Sequence, residues 1–291
     1  FISVRYHTYS RVVVNSLLAS SKRNLYQNIM DLGLKHKTAL VLASTKGLGF
    51  GVAKALSREG ANVVICGRDE AQLQSALKII ESESGMVSGL PCDVSQLSCL
   101  DAVFSHCEST FNPPDILVYN NGGPPSGDPT SFGPEDFNDA FHKGFHTAVY
   151  SIRKALPHMQ ESGWGRILCI TSISVKQPID DLILSNTTRT ALTSYIKTMS
   201  RQVAKDGITI NSMLPGPHDT DRLRSLAASI AEQNQITEDQ AMNRLAADIP
   251  IGRLGSTEEF GAVAAFLCSK HASYISGQAI VHDGGAIRST F

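Results

Sequence analysis

Beyond Met30 the chain alternates between two kinds of apolar pattern. Short aliphatic and β-branched runs have the length of strands: TALVLA (38–43), NVVIC (62–66), MVSGL (86–90), DILVY (115–119), RILCIT (166–171), ITINSML (208–214) and QAIVH (278–282). Longer amphipathic stretches separate them. FGVAKALSREG stops at Gly60, and glycine suits the position just past a helix. DEAQLQSALKIIESE opens with acids, which complement the positive end of a helix. Two further helices are predicted, from about Pro134 to Gln160 and from about Ser185 to Lys205. Strands that are apolar along nearly their whole length have both faces covered, the condition of a parallel sheet. Strand and helix alternating throughout predict a single α/β domain over 30–291: a doubly wound sheet of about seven parallel strands with helices on both faces. A polar helical stretch at about 218–248 lies between the sixth strand and a Gly-Arg turn, and is expected to be a mobile lid.

Composition narrows the partners. The formal net charge is −1, with no long basic block, which argues against nucleic acid or an anionic membrane as the main partner. No apolar run is long enough to span a bilayer. The six cysteines form no C-x-x-C pair, and several fall in strand-like runs; reduced, mostly buried thiols are expected rather than a metal site. Residues 1–29 contain Arg5, Arg11, Lys22 and Arg23, frequent serines and no acid. That composition has the character of an organellar transit peptide. An N-terminal extension on an ordinary cytoplasmic enzyme, with a natural start at Met30, is the favoured expectation.

The first strand runs into ASTKGLGFG, Ala43 to Gly51. A glycine-rich turn that opens a helix exposes backbone N–H groups to a pyrophosphate, and Gly47 and Gly49 would allow close approach. The second strand ends in CGRDE, where Gly67 and Arg68 stand at the place of the acid that holds an NAD ribose. Without that acid, and with a guanidinium beside it, a 2′-phosphate is favoured. Lys46 within the turn adds a second cation. NADP(H) is therefore expected in preference to NAD(H). Alternatively, Lys46 and Arg68 are solvated surface cations.

From about Lys35 to Arg288 the chain resembles the short-chain dehydrogenase/reductases, near the 3-oxoacyl-carrier-protein reductases. The resemblance rests on the order and spacing of several motifs. The glycine turn of that family, T-G-x-x-x-G-x-G, has Leu42 and Ala43 for its first two residues here, followed by Ser44, Lys46, Gly47, Leu48 and Gly49. PCDVS carries over Asp93, whose equivalent meets adenine, and Val94. YNNGGPP resembles the N-N-A-G segment, keeping Asn120 and Gly122 and departing at Tyr119 and Asn121. LPGPHDT supplies Pro215 and Gly216 beside the nicotinamide, and IGRLGSTEEFGAVAAFLCS with SGQAIVHDGG resembles the C-terminal signature. The resemblance implies a Rossmann-like fold, a small carbonyl or alcohol substrate, and assembly into homodimers or homotetramers through the two long helices.

It also implies a catalytic Asn, Ser, Tyr and Lys, and only the serine is present. Ser172 stands at its place, with Ser174 close enough to be confused with it. Thirteen positions on, the tyrosine is Ser185; four further, the lysine is Arg189. The asparagine position falls at Gly144. Tyr195 lies ~15 Å along the same predicted helix from Ser185 and rotated by roughly a quarter turn, so it cannot substitute. Arg189 can bond a ribose hydroxyl, but as a fixed cation it donates no proton at neutral pH. His142, His146 and His218 are candidate proton donors, each more readily a surface or capping residue. Asp180 and Asp181 line the substrate mouth or belong to a solvated loop, the second being preferred. An oxidoreductase with an atypical centre of Ser172, Ser185 and Arg189 is expected. The rival is a catalytically silent NADP(H)-binding sensor, scaffold or partner subunit. A serine hydrolase lacks its G-x-S-x-G elbow.

Overall fold

The computed structural model describes residues 30–83 and 85–290. The expectations for residues 1–29 fall outside the described residues. Leu32–Phe291 forms one compact unit. Its sheet has seven parallel strands in the order β3-β2-β1-β4-β5-β6-β7: β1 (Thr38–Val41), β2 (Asn62–Gly67), β3 (Met86–Pro91), β4 (Ile116–Tyr119), β5 (Gly165–Ile170), β6 (Ile208–Pro215) and β7 (Ala279–His282). All seven predicted runs are strands. β1, β4 and β5 are buried along their whole length, as their unbroken apolar runs require. Two apolar clusters form the core, one on each face of the sheet, because side chains alternate along each strand: Leu40 and Val64 belong to one, Ala39, Val41 and Val63 to the other.

Helices α1 (Gly47–Arg58), α2 (Glu70–Ser82) and α3 (Leu97–Thr110) follow the first three strands. Asp69 caps α2 by accepting from the Gln72 amide. The long helix expected from about Pro134 is interrupted. It runs as α4 (Pro134–Phe141), a π-helical turn (His142–His146) and α5 (Thr147–Ser162), ending at the left-handed Gly163. Helix α6 (Ile183–Val203) begins slightly earlier than expected. The polar stretch folds as two capped helices, α7 (Asp221–Asn234) and α8 (Glu238–Ala247), around a small core of Ala227, Ala231 and Ala241. Helix α9 (Thr257–Leu267) packs on α1 at close range. A Cβ on Gly51 would strike the Thr257 carbonyl, and one on Gly261 the Gly51 carbonyl, so two glycines let these backbones meet.

The chain reverses direction across the sheet between β1 and β4, and the loops leaving their carboxyl ends part there to form a crevice.

Candidate active site

A cleft of about 930 Å³ opens at that switch point. It brings together Ala43, Lys46, Arg68, Asp93, Val94, Asn120, Gly122 and Gly144 from five separate segments. The turn after β1 is held from beneath. The Ser44 hydroxyl donates to the Val41 carbonyl at 2.5 Å and its amide to Cys66 at 2.8 Å, while Asn120 Nδ2 donates to the Ala43 carbonyl at 2.8 Å. Ser44 is fully buried with both donors engaged, so it shapes the turn and is not itself a ligand-binding group. Ala43 sits at φ 47°, a left-handed conformation that normally selects glycine. Gly47, at φ 60°, leaves open space for a close approach, with only Thr220 near. Gly49 differs: a Cβ there would stand 2.8 Å from both the Ala43 carbonyl and Asn120 Nδ2. Its role is packing of α1 on the turn rather than access for a phosphate. Leu48, at the start of α1, packs partly against the core and has only its backbone amide to offer.

The cation pair expected from the sequence lies in this cleft. Lys46 and Arg68 both line it, beside Thr45, Asp69 and Gln72. Lys46 is not a lone charge, since Asp221 at the start of α7 lies 3.7 Å away with both side chains well exposed. The structure supplies a steric reason for the missing acid: a Cβ on Gly67 would stand 2.6 Å from Thr45 Cγ2 and Oγ1. Thr45 thus occupies the space an acidic side chain would need, and it borders the cleft where Arg68 enters. Asp93 turns the chain after β3 by accepting from the Ser95 amide at 3.0 Å. Hydrogen bonds from Ser95, and behind them the charges of Arg68 and Lys143, hold its carboxyl below the usual range. Glycines open the cleft, cations line one wall and no acid stands at position 67, so the residues fit a dinucleotide bearing an extra phosphate.

Of the expected catalytic centre only Gly144 lines this cleft; Ser172, Ser185 and Arg189 lie just past β5 and along α6. Ser172 follows β5, caps a short 3₁₀ turn (Ile173–Val175) through the Ser174 amide, and is partly exposed. Ser174 has its hydroxyl wholly buried and without a hydrogen-bond partner, so Ser172 is the one of the pair that can meet a substrate. Arg189 reaches back from α6 to the end of β5: its Nη1 donates to the Ile170 carbonyl at 3.0 Å and to the Thr171 carbonyl at 2.5 Å. Burial, then the charge of Arg222 on α7, lowers its pKa to about 10. Ser185, one turn earlier on α6, is buried. Gly144 faces α6 across the π turn, where a Cβ would make ordinary contact with Thr188 at 3.5 Å and with Asn121 at 3.9 Å.

Tyr119 and Asn121, departures from the family pattern, share a task. The π turn frees the Lys143 carbonyl, which accepts from the Tyr119 hydroxyl at 3.0 Å, Asn121 Nδ2 at 2.9 Å and the Thr147 hydroxyl at 2.8 Å. Tyr119 is fully buried, and burial pushes its phenol well above the ordinary range. It braces the helix and faces no substrate.

Other expected contributors lie elsewhere. His142 bonds the Ser95 carbonyl at 3.1 Å, His146 is exposed beside Phe145, and His218 is buried between the Gly216 carbonyl and His282 Nδ1, each at 2.9 Å. Burial lowers the His218 pKa. None of the three replaces the tyrosine by the contacts it makes. Pro215 ends β6 and Gly216 follows it, and neither lines the cleft; a Cβ on Gly216 would press on Asp283 at 2.5 Å, so this glycine serves packing against the last turn. Tyr195 meets Phe145 edge-on and lines a groove of about 800 Å³ between α5 and α6, remote in sequence and contacts from Ser172. Asp180 and Asp181 are exposed. Thr45 lies inside the glycine turn but at none of its glycines or cations, and Arg222 lies just past LPGPHDT, which is why the sequence alone did not single them out. All six cysteines are free, and among the described residues no cluster fits a metal ion and no helix is long and apolar enough to cross a membrane.

A parallel doubly wound sheet with its cleft at the switch point defines the Rossmann-like class. Within it, residues 42–286 match the family model described as "Enoyl-(Acyl carrier protein) reductase". The chain is 31% identical over 261 residues to the NADPH-dependent reductase BacG of Bacillus subtilis (strain 168), covering 88% of this chain and 100% of that protein. It is 28% identical to a putative ketoacyl reductase of Streptomyces coelicolor, covering 86% of this chain and 96% of that one. The crystal structure of L-sorbose reductase from Gluconobacter frateurii, complexed with NADPH and L-sorbose, superimposes with a TM-score of 0.85 at 30% identity, covering 89% of this chain and all of that one. The chain belongs to the short-chain dehydrogenase/reductase family.

Proposed function

We propose that this protein is an NADP(H)-dependent oxidoreductase that reduces a small carbonyl compound, or oxidises the corresponding alcohol, in an active centre without the family's tyrosine and lysine. The observation that carries the cofactor choice is the cleft wall where Lys46 and Arg68 stand together and Thr45 fills the place of an acid. BacG, described as NADPH-dependent, and L-sorbose reductase, whose crystals held NADPH, support the same choice. The bound nicotinamide would supply the hydride. Arg68 and Lys46 would hold the 2′-phosphate, the open backbone at Gly47 the pyrophosphate, and Asp93 with Val94 the adenine.

Ser172 would donate a hydrogen bond to the reacting oxygen. Arg189 brings fixed positive charge beside it, which favours the negative charge that oxygen gains during reduction. Its Nη1 is engaged by the β5 carbonyls, leaving Nε and Nη2 for the ribose hydroxyl that the resemblance assigns to this position. Ser185, short and weakly acidic, would position rather than protonate, and water would deliver the proton. The α7–α8 pair would act as the lid, since its leading end already touches the cleft through Asp221 and Arg222.

The joint loss of tyrosine, lysine and asparagine favours a second reading, an NADP(H)-binding partner or sensor without turnover. Calorimetry with NADPH and NADH, followed by a turnover assay over ketones, 3-oxoacyl thioesters and alcohols, separates them. NADPH binding with turnover by the native protein supports the first reading. Binding with turnover only in a Ser185→Tyr/Arg189→Lys double variant supports the second. No heat with either nucleotide would sink both.

A further inference from the structure

The α7–α8 excursion leaves the sheet and returns to it through a neck. His218 and Gly255 form an isolated parallel bridge there, the Asp219 amide donating to the Gly255 carbonyl at 2.9 Å and the Gly255 amide to the Pro217 carbonyl at 3.2 Å. Residues 219–254 are therefore tied together at their base. The His218 ring is the neck's hold on the core. It is buried and stacks on His282, at the end of β7, with ring centroids 5.0 Å apart. Both rings meet Phe260 of α9 edge-on, at 5.3 and 5.4 Å. A Cβ on Gly255 would stand 2.6 Å from His218 Cδ2, so the returning segment lies close against the ring.

The hydrogen bonds count the protons. A carbonyl only accepts, so His218 Nδ1 carries a proton towards the Gly216 oxygen, at 2.9 Å. Its Nε2 faces His282 Nδ1, also at 2.9 Å, and two nitrogens in that contact need one proton between them. In the neutral pair His282 supplies it. One added proton goes to the outer nitrogen of His282 and leaves the shared one in place. A second added proton puts an N–H on both facing nitrogens, and the bond becomes a repulsion between two cations. The charged groups around the pair are engaged elsewhere: Glu259 of α9 with Arg253 at 2.9 and 2.7 Å, Asp283 with the Gly285 and Ile287 amides at 2.9 and 2.8 Å, and Asp219 with Arg224. A cavity of about 310 Å³ bordered by both rings gives solvent protons access.

We propose that His218 and His282 form a proton-counting clasp, which fixes the neck of the α7–α8 excursion against β7 while the pair holds at most one added proton and frees it in acid when a second arrives. His282 acts through His218 and is a positioning residue. Burial lowers the His218 pKa, and the direction of the effect follows. The open neck, with its rings in water, binds the second proton more tightly than the closed one. Acid therefore favours opening, by as much as about tenfold per pH unit below the ordinary histidine value. The cleft feels the release through the residues that follow His218. Thr220 Cγ2 lies 3.7 Å from where a Cβ of Gly47 would stand, and Asp221 faces Lys46 at 3.7 Å. Freeing the neck loosens both from the glycine turn.

Amide hydrogen exchange of the full chain without nucleotide tests the clasp, and its outcome is independent of the cofactor reading. Rates are corrected for the intrinsic pH dependence of exchange and read at 217–220 and 253–256, with β4 reporting global opening. From about pH 7.5 to about pH 5 the native neck is expected to lose protection about tenfold while β4 keeps its own. In His282→Gln the side-chain amide donates to His218 Nε2 when that nitrogen is bare and, turned over, accepts from it when protonated. Neck protection in that variant is expected to stay within about threefold over the same range. His282→Leu leaves a buried nitrogen without a donor and is expected to lose protection about tenfold already at about pH 7.5. Three results overturn the proposal. The first is a native neck equally protected at both pH values. The second is a His282→Gln neck that opens in acid as the native one does, which places the titrating group elsewhere. The third is native protection in His282→Leu. The native and His282→Gln measurements decide the matter even where His282→Leu does not fold.

Discussion

At the scale of single residues, side chains around the cleft divide between those that shape it and those that face it. Gly67 and Thr45 show how the two connect: the space that an acid would need is filled by a threonine, so the cleft presents Arg68 and Lys46 without a carboxylate at position 67. Arg68→Ala is therefore expected to weaken NADPH binding about tenfold or more, the loss of a charge-assisted contact, while NADH binding changes less than about twofold. Paired titrations check this, and equal losses for both nucleotides would place Arg68 away from the 2′-phosphate. Ala43 tells a different story. It holds a left-handed backbone at φ 47°, where a Cβ is unfavourable. Ala43→Gly is expected to stabilise the fold by about 0.5–1 kcal/mol, relief of strain being partly offset by the freer unfolded chain. Denaturant unfolding with an unchanged slope would confirm it. The family resemblance, counted along the chain, assigned Ser172, Ser185 and Arg189 to the expected catalytic positions. It could not assign their contacts: that Arg189 donates to two strand-end carbonyls depends on β5 and α6 being neighbours in space.

At the scale of elements, short continuous apolar runs marked the central strands, because a strand buried on both faces must be apolar along its length. The π turn at His142–His146 was not legible, since its cause is tertiary. A carbonyl released from the helical ladder is satisfied by Tyr119 at the end of β4 and Asn121 just beyond it. Tyr119→Phe removes one of those donors and the Thr147 contact while keeping the ring. A loss of about 0.5–1.5 kcal/mol is expected, without loss of nucleotide binding; thermal unfolding with and without NADPH measures both. The α1–α9 contact is a second element-level device. Gly51→Ala would place a methyl against the Thr257 carbonyl and is expected to cost about 1–3 kcal/mol, or more where the backbones cannot part. An unchanged melting temperature would show that the two helices separate easily.

For the whole molecule, the last strand joins the sheet beside β6, and the preceding helix α9 is held at its start by the Ser256 cap and the Arg253–Glu259 pair. Glu259 accepts from Arg253 and from the Ser256 amide, and these lower its pKa from 4.5 to about 2. A carboxyl whose folded pKa is depressed stabilises above its unfolded value, and that contribution disappears as pH falls from about 4.5 towards 2. The pair is exposed, so the effect is modest and screened by salt. Glu259→Gln is expected to flatten the acid limb of a stability–pH profile between those values while leaving the limb above neutrality unaltered. Assembly belongs to this scale as well. The groove between α5 and α6, lined by Tyr195, Met199 and Val203, is the face on which the family resemblance places subunit pairing. If it pairs there, Tyr195→Arg converts an oligomer to a monomer in light scattering; an unchanged mass would move the interface elsewhere.

The amino-acid sequence by itself determined the parallel doubly wound class, the positions of its seven strands and the glycine turn that follows the first of them. These follow from local periodicity and from spacing along one chain, which survive without knowledge of what lies across the sheet. Only the tertiary structure decided which candidates face the cleft and which hold it up. Ser44, Gly49 and Gly216 serve packing, and the three histidines are occupied at other contacts. Thr45, within the glycine turn, comes to the cleft wall, and Arg222 comes to lie on Gly123 at its rim. The physical reason is that burial and partnership of a side chain are set by residues distant in sequence, so their roles emerge only when the strands and the α7–α8 pair are in place.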